Sequence, residues 1–376
     1  MKWLAGLLTL LLSIPFAFAQ TNSPATDTAL DTLVKHLGEN FIKDPKSVGL
    51  SIGFYHNGAS HYYNFGTTEK GKTSAPTQNT IYEIGSITKA FVGLVLANAV
   101  SEKRVSLDDD VRKYLVGSYT NLEYGGKYIK VVHLANTTSG IPNWLPVIPA
   151  AIVNAPPDEV PSFREKIYGN LQRKDFFDAL HTVKLDTAPG NKPRHSNAAG
   201  QLLGFILEDV YDTPLEKLVS RYVSSPLKMT STTFLASKSD SKLLAKGYDE
   251  KGWAMPYFAG SYLQAAGGLN SCTADLVEFI KFQLGKGNEI VNLSHQKTLD
   301  AGGYDVALNW LIYKHENGLR QIWTDGGTYG FCSYLVFYPE LNSGIVLLAN
   351  ESDDSTPNKL GGIAFEMFKA IQSPGH

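Results

Sequence analysis

The pattern of apolar and polar residues gives the chain two strand-rich ends and a helix-rich middle. Near the start, residues 47–55 and 60–65 read as short strands around the turn His56-Asn57-Gly58, because an Asn-Gly pair is a strong hairpin signal. Near the end, four further segments have strand character: 307–313, 320–323, 331–338 and 344–348. Large apolar residues occupy both alternating faces of the third of these segments, which predicts a sheet covered on both sides.

Helical spacing dominates the middle of the chain. Residues 86–101 lack Pro and are apolar nearly all round, which predicts a buried helix. Apolar residues recur at helical spacing over 202–210, and Thr213-Pro214 ends this helix and starts another. A closing helix over about 358–371 would cover part of the sheet, whereas the Pro- and Asn-bearing stretch 141–162 reads as a loop.

These elements predict an α+β fold. We expect an antiparallel sheet built from both chain ends and flanked by helices, with a mainly helical region of about residues 100–300 inserted between the terminal strands. The chain has 376 residues, of which 43% are hydrophobic and 19% charged, so it can bury one large core. We therefore expect a single domain over residues 20–376, with the functional site in the groove between its two layers.

The first residues of the chain predict export. Lys2 precedes an apolar run over 4–18, and Ala17-Phe18-Ala19 fits the small-x-small cleavage rule. The sequence therefore predicts a signal peptide over residues 1–19 and a mature chain that starts at Gln20. A retained N-terminal membrane anchor is the alternative. No later segment has 18 consecutive apolar residues, so we expect a periplasmic or secreted protein without a transmembrane segment in the mature chain.

Charge and motif content exclude several function classes. The formal net charge is -2, so no strong field draws the protein to nucleic acid, and a small-molecule or peptide substrate is the expected partner. His-Glu-x-x-His, zinc-spaced Cys/His clusters, P-loops, dinucleotide fingerprints and Gly-x-Ser-x-Gly do not occur, so we expect no metal and no cofactor. Cys272 and Cys332 are the only cysteines, and a disulfide or two buried thiols explain them equally well.

Ser86-Ile87-Thr88-Lys89 carries the first candidate chemistry. A Ser and a Lys at this spacing share one helix face, so the amine can take the hydroxyl proton if burial keeps the Lys partly neutral. The same spacing occurs three more times, in polar or turn-rich stretches: Ser225/Lys228, Ser239/Lys242 and Ser294/Lys297. The Ser86 copy differs because it opens an apolar helix, where a Lys is costly to bury.

The segment around Ser86, YEIGSITKAF at 82–91, resembles the active-site segment of class C β-lactamases and the related D,D-peptidases and esterases. Further segments are similar to this penicillin-recognising SxxK superfamily in the same order: VHLANTTSGIP at 132–142, PG at 189–190, SNA at 196–198, SPLKM at 225–229, AGGL at 266–269 and GGTYGF at 326–331. The similarity covers about residues 45–350. It implies a β-lactamase/transpeptidase-like fold and a serine hydrolase that forms an acyl-enzyme.

The second motif of this family is usually Tyr-x-Asn, and the matching residues here are His195-Ser196-Asn197. A rival, Tyr168-Gly169-Asn170, lacks the preceding Pro-Gly and the apolar helix that follows, so we assign the motif to His195. The resemblance implies that this residue passes protons between nucleophile and leaving group, which an imidazole can also do. A structural histidine near the surface is the alternative. Asn197 would orient Lys89 and the substrate amide.

The third motif is usually Lys-Thr-Gly or His-x-Gly on a strand beside the site, and here it reads Thr324-Asp325-Gly326. In the relatives a cation or hydroxyls at this strand help to hold the substrate carboxylate. Thr324 offers only a neutral hydrogen bond, and Asp325, where it faces the site, repels an anion. The resemblance implies that the amides of Ser86 and Gly327 bind the oxyanion, next to glycines that let the strand approach closely. A plain turn is the alternative for Gly326-Gly327.

We therefore expect a serine hydrolase in which Ser86, deprotonated by Lys89 with help from His195, attacks a peptide amide, a β-lactam or an ester. The missing cation at Thr324 weighs against an efficient β-lactamase, because an uncompensated buried carboxylate is costly. Asp325 suggests a substrate with a free amino group, as D-aminopeptidases of this superfamily take. The alternative is a non-catalytic cell-wall-binding relative that uses the same groove, although a pure binder would not need the Ser-Lys pair, the Asn and the glycines together.

Overall fold

The computed structural model describes residues 24–147, 170–234, 242–258 and 263–372, together with positions 156, 159, 162 and 166. The predicted signal peptide over 1–19 and most of the predicted loop over 141–162 lie outside these residues. Within the described residues, no helix is long and apolar enough to cross a membrane.

Helices and strands of the described residues follow one another along the whole chain. The helices are α1 (Pro24–Ile42), α2 (Thr88–Ser101), α3 (Val131–Ala135), α4 (Arg173–Leu180), α5 (Asn197–Tyr211), α6 (Leu215–Val219), α7 (Gln264–Gly267), α8 (Thr273–Gln283), α9 (Glu289–Ser294) and α10 (Thr356–Gln372). The strands are β1 (Gly49–His56), β2 (Ala59–Gly66), β3 (Tyr82–Glu83), β4 (Glu123–Tyr124), β5 (Lys127–Tyr128), β6 (Tyr248–Asp249), β7 (Asn270–Ser271), β8 (Leu299–Asp300), β9 (Asp305–Val306), β10 (Leu311–Lys314), β11 (Arg320–Gly327), β12 (Cys332–Tyr338), β13 (Ser343–Ala349) and β14 (Glu351–Ser352).

The main sheet is built from both ends of the chain, which confirms the predicted α+β architecture. Its eight strands run in the order β2-β1-β13-β12-β11-β10-β9-β8, and every neighbouring pair is antiparallel. The first hairpin lies beside the last long strand, with Leu50 opposite Ala349. This arrangement leaves the helices between α2 and α9 to form the layer in front of one sheet face.

Both faces of the sheet are covered, as the apolar residues on both faces of residues 331–338 predict. Ile345 and Leu347 of β13 belong to the core under α1 and α10, whereas Val346 and Leu348 belong to the larger core shared with α2, α5 and α8. This alternation follows from the strand pleat, which turns successive side chains to opposite faces. The helix α1 was not predicted, while the closing helix α10 matches the prediction over 358–371 closely.

One local prediction is confirmed in full and another only in part. The hairpin at His56-Asn57-Gly58 is confirmed, with Asn57 at φ 46° and Gly58 at φ 96°, as a tight two-residue turn requires. The strand predicted over 307–313 is confirmed only from Leu311, where β10 begins. Residues 307–310 form a turn instead, because Asn309 has φ 61° and the Ala307 amide donates to the Trp310 carbonyl at 2.9 Å. This buried turn separates β9 from β10. Apolar residues line it because it packs into the core, so their presence did not signify a strand.

The remaining predictions for the middle of the chain need small changes. The helix predicted over 86–101 begins at Thr88, because Gly85–Ile87 forms a 3-10 turn before it. The strand predicted over 320–323 continues to Gly327. The predicted break at Thr213-Pro214 is confirmed, since α5 ends before Asp212 and α6 follows Pro214. Cys272 and Cys332 are both buried free thiols, so they form no disulfide in this structure.

Candidate active site

Ser86 lies where a short strand meets a buried helix. It is the middle residue of the 3-10 turn between β3 and α2, and it is half-buried while its neighbours on both sides are buried. Gly85 has φ 51°, a conformation that favours glycine, and this turns the chain sharply before the nucleophile candidate. One turn further on, Lys89 is only 6% exposed, so the two residues share one face as their spacing predicts.

Three oxygen atoms surround the amine of Lys89. Its Nζ donates to Ser86 Oγ at 2.9 Å, to Asn197 Oδ1 at 2.9 Å and to the Ala266 carbonyl at 2.5 Å. The structure therefore brings together the first motif, the Asn of the second motif and α7. When the amine is neutral, the Ser86 hydroxyl can instead donate to Nζ, and the two remaining N–H groups still reach Asn197 and Ala266.

Burial sets the protonation of this amine. Desolvation lowers the pKa of Lys89 to about 7, and the charge of Asp325 acts in the opposite direction. With a pKa of about 7, the neutral and the charged amine are both present near pH 7. Lys89 therefore has the protonation behaviour that a general base needs near neutral pH.

Asn197 is held in place by the start of α5. Ser196 caps this helix, because its Oγ accepts from the Ala199 amide at 2.9 Å and donates to the Pro142 carbonyl at 2.9 Å. The Asn197 amide donates to Asn143 Oδ1 at 3.0 Å. The side chain of Asn197 thus reaches Lys89 from a helix end that is fixed to the loop after residue 140.

His195 borders the same groove but makes no hydrogen bond to Ser86 or Lys89 among the contacts of the described residues. Desolvation, and after it the charge of Lys89, lowers the pKa of His195 to about 4, although the residue as a whole is exposed. The ring is therefore neutral at pH 7. A group with this pKa is a weak base, and Lys89 is better suited to accept the hydroxyl proton.

The third motif lies on the last residues of β11. A Cβ on Gly326 would lie 2.2 Å from the Ile84 carbonyl oxygen and 2.7 Å from the Ser86 amide nitrogen. A Cβ on Gly85 would lie 2.6 Å from the Gly327 amide nitrogen. Both positions require glycine because the two backbones touch. This close approach brings the amides of Ser86 and Gly327 to one end of the groove.

Thr324 and Asp325 flank the groove from the two faces of β11. Thr324 is 8% exposed and shares its face with Gly326, whereas Asp325 is exposed on the opposite face and still borders the groove. Desolvation raises the pKa of the Asp325 carboxyl, and the charge of Lys89 lowers it by a smaller amount. Within the described residues Asp325 forms no salt bridge. The groove therefore contains the carboxylate of Asp325 next to the neutral side chain of Thr324.

Arg194, which lines the groove as Lys89 does, is already paired with a carboxylate. Arg194 donates to the two carboxylate oxygens of Asp186 at 2.7 and 3.0 Å and to the Gly140 carbonyl at 2.8 Å. A bidentate pair of this kind holds the guanidinium in one direction. Arg194 therefore fixes the loop at Gly140 and does not replace the cation that is absent at Thr324.

A cavity of about 540 Å³ joins these residues. It includes every residue of the three predicted motifs that was assigned a role, together with aromatic side chains that the sequence did not predict: Trp144, Phe258, Tyr304, Trp310 and Tyr329. These aromatic residues come from separate loops and strands, so no local spacing identifies them as one group. They give the groove apolar walls around a polar end.

Two of the other Ser-x-x-Lys copies, Ser225/Lys228 and Ser294/Lys297, do not line this groove. Ser225 and Lys228 are exposed, and Lys297 pairs with Asp300 and Asp305 at the surface. Ser239 lies outside the described residues, as does Tyr168 of the rival second motif. No group of three or more His, Cys, Asp or Glu side chains that could hold a metal ion occurs in the part of the chain that the structure describes.

Sequence comparison relates the chain to known proteins along most of its length. It is 28% identical over 351 residues to Protein flp of Staphylococcus aureus strain MRSA252, which covers 87% of this chain and 64% of that protein. It is 25% identical over 380 residues to a beta-lactamase of Yersinia enterocolitica, which covers 90% of both chains. The chain thus spans about 64% of the length of Protein flp and most of the length of the Yersinia protein.

Solved structures share the fold. A beta-lactamase/D-alanine carboxypeptidase from Pseudomonas syringae has a TM-score of 0.76 at 21% identity, covering 92% of this chain and 100% of that chain. A class C beta-lactamase has a TM-score of 0.79 at 20% identity, covering 95% and 99%. The family model described as Beta-lactamase matches residues 30–363. Motifs, fold and family model therefore agree, and the chain belongs to the beta-lactamase family.

Proposed function

We propose that this protein is an exported serine hydrolase that cleaves an ester, a peptide amide or a β-lactam through an acyl-enzyme. One observation carries the proposal: the buried amine of Lys89 lies 2.9 Å from both Ser86 Oγ and Asn197 Oδ1. An amine whose pKa is about 7 can activate a hydroxyl at this distance. Export, to the periplasm or outside the cell, is proposed from the leader over residues 1–19.

Acylation follows from the contacts of Ser86. Neutral Lys89 accepts the hydroxyl proton while Oγ bonds to the carbonyl carbon of the substrate. The amides of Ser86 and Gly327 donate to the oxygen that becomes negative. The carbon–heteroatom bond then breaks, and the leaving group takes the proton from the Lys89 ammonium. Neutral His195 borders this path, where it can orient the leaving group by a hydrogen bond.

Deacylation uses the same groups in the same order. A water molecule gives a proton to neutral Lys89 and attacks the ester carbonyl of the acyl-enzyme. The tetrahedral oxygen again accepts from the amides of Ser86 and Gly327. The proton returns from Lys89 to Ser86 Oγ as the acid product leaves. Asn197 holds Lys89 through both halves, since it accepts from the amine in either protonation state.

The charges around the groove favour a substrate without a carboxylate at the Thr324 end. Thr324 supplies no charge, Asp325 adds a negative one, and Arg194 is paired with Asp186. An anion placed there would be desolvated without a counter-charge. A neutral group or a free amine has no such cost. We therefore propose uncharged or amine-bearing esters and amides as the preferred substrates, ahead of β-lactams.

Replacing Asp325 with Asn tests this preference. We expect kcat/KM for an amine-bearing substrate to fall roughly tenfold relative to its N-acetylated form, the value of one hydrogen bond to a charged group of about 1.5 kcal/mol. The same change removes a charge that raises the pKa of Lys89, so the acid limb of the rate profile should move to lower pH. If the ratio of kcat/KM between the amine-bearing and the N-acetylated substrate is unchanged, Asp325 does not recognise the amine, even if the acid limb of the rate profile moves.

A pair of assays separates the hydrolase from a non-catalytic cell-wall-binding relative. The purified mature chain is incubated with p-nitrophenyl acetate, with nitrocefin and with a fluorophosphonate, and the labelled peptide is identified by mass spectrometry. We expect turnover of the ester, weaker turnover of nitrocefin, and one label on the peptide that contains Ser86. A chain that takes up no label and turns over neither substrate refutes the hydrolase and favours the binder.

A further inference from the structure

We infer that Glu83 is a positioning residue of this site: its buried carboxylate fixes the strand that carries Gly327, one of the two amides assigned to the oxyanion, and the aromatic wall beside it. The inference rests on the proposed function. Glu83 belongs to β3 and precedes Ser86 by one short turn, yet its side chain takes no part in the acyl-transfer steps. It is only 5% exposed, so its charge is costly unless well-placed donors surround it.

The backbone of Glu83 is itself firmly held. It pairs with Asn270 of β7, and the next amide, that of Ile84, donates to the Leu269 carbonyl at 3.0 Å. The Ile84 carbonyl in turn accepts from Ser333 Oγ of β12 at 2.9 Å. The carboxylate therefore extends from a backbone that is hydrogen-bonded on both sides, so it can hold the groups that it contacts in place.

Each carboxylate oxygen binds a different wall of the groove. Oε2 accepts from Thr328 Oγ1 at 2.6 Å, and Oε1 accepts from the Phe258 amide at 2.5 Å. Both partners line the cavity. They lie 245 and 175 positions further along the chain, so a single side chain joins the segment of Ser86 to two distant segments. Hydrogen bonds to a carboxylate are about twice as strong as neutral ones.

The Thr328 contact bears directly on the oxyanion donors. Thr328 follows Gly327, and its own amide donates to the Phe331 carbonyl at 2.9 Å, which closes the turn after β11. On the other side, Gly326 touches the backbone at Ile84 and Ser86. The peptide of Gly327 is thus fixed from both directions by the segment that carries Ser86. The distance between the two amides that bind the oxyanion follows from these contacts.

The Phe258 contact acts on the aromatic wall. The rings of Phe258 and Tyr329 lie 6.1 Å apart between centroids, so the segment held by Oε1 contacts the turn held by Oε2. Loss of the Glu83 carboxylate would remove the hydrogen bonds to Phe258 and Thr328 at the same time. A donor amide that moves by even a fraction of an ångström loses much of its effect on a transition state. We therefore expect the loss of the Glu83 carboxylate to lower kcat more than it alters KM.

The test compares Glu83→Ala, Glu83→Gln and Thr328→Val in the full mature chain. Glu83→Ala should lower kcat for p-nitrophenyl acetate about 100-fold with KM within about threefold of the wild type, the scale of one oxyanion donor. Glu83→Gln should retain activity within about tenfold, because its oxygen can accept from Phe258 and its amide can donate to Thr328. As a single variant, Thr328→Val should lower kcat. In the double variant it should add no further loss to that of Glu83→Ala, since both changes remove the same contact.

An activity-independent measurement keeps this inference separate from the proposed function. Hydrogen exchange of the amides over 327–331 should become faster in Glu83→Ala, while the amides of α10 stay protected. Unchanged exchange over 327–331, or a Thr328→Val loss that multiplies with the Glu83→Ala loss, overturns the positioning role. Wild-type turnover that persists in Ser86→Ala overturns the proposed hydrolase instead, and the exchange result still decides the role of Glu83.

Discussion

Replacement of Ser86 with Ala should lower the turnover of an ester by about 10⁴-fold or more and remove the fluorophosphonate label, because no second hydroxyl lies within reach of Lys89 among the described contacts. Folding should be unaffected. Ser86 is only half-buried, and a methyl group fits where the hydroxymethyl group lay. Equal melting temperatures of the two proteins, together with kcat/KM and intact mass after labelling, check the prediction.

The chain supplies a matched control for this experiment. Ser225 opens another Ser-x-x-Lys sequence, but it is exposed, and its Oγ lies 2.9 Å from that of Ser220. Ser225→Ala should retain full turnover and full labelling. A wild-type rate in Ser86→Ala, or a loss in Ser225→Ala equal to that in Ser86→Ala, would show that the wrong copy of the motif was assigned.

Local sequence predicted the elements whose signals are local. The Asn57-Gly58 turn and the break at Pro214 each depend on a few neighbouring residues. The helix α1 also has a local signal, since Leu30, Val34, Leu37 and Phe41 recur at helical spacing, although it was not predicted. The turn at Asn309 had no such signal. The residues beside Asn309 are apolar because they are buried in the core of the folded protein, so the sequence alone does not distinguish this turn from a strand.

The candidate site also contains residues that the sequence predicts and contacts that it does not. Ser86 and Lys89 were found from their spacing on an apolar helix, and the other motif residues came from the family resemblance. The Ala266 carbonyl contact joins positions 177 apart, and the contacts of Glu83 span greater or similar separations. Such contacts depend on the folded arrangement of the sheet and the helical layer. No pattern within one element contains them, so they became visible only in the structure.

Replacement of Lys89 with Met should lower kcat/KM about 10³-fold, the usual contribution of a general base. In the wild type the neutral amine is the active form, so kcat/KM should rise with pH and level off above the Lys89 pKa of about 7. Lys89→Met should lose this limb. Lys89→Arg is the charge-matched control, and it should be equally inactive because a guanidinium does not deprotonate in this range.

The lowered pKa of Lys89 should also make the stability of the protein depend on pH. The pKa of Lys89 is lowered by burial to about 7 from an ordinary value of 10.5, so between these values the unfolded chain binds more protons than the folded one. The wild type therefore gains stability as the pH rises from about 7 towards 10.5, and Lys89→Met lacks this gain. The melting temperature of the variant relative to the wild type should be highest near pH 7 and fall towards pH 10.

This pH dependence identifies why the residue is present. Removing the amine also leaves Asn197 Oδ1 and the Ala266 carbonyl without their donor, a loss that does not vary with pH over this range. A difference in melting temperature that stays constant from pH 7 to pH 10 would mean that Lys89 is fully protonated in the fold, and the proposed base would be wrong. A melting temperature of Lys89→Met that falls relative to the wild type as the pH rises, alongside the lost activity, means that Lys89 destabilises the fold near neutral pH and is retained because the reaction requires its amine.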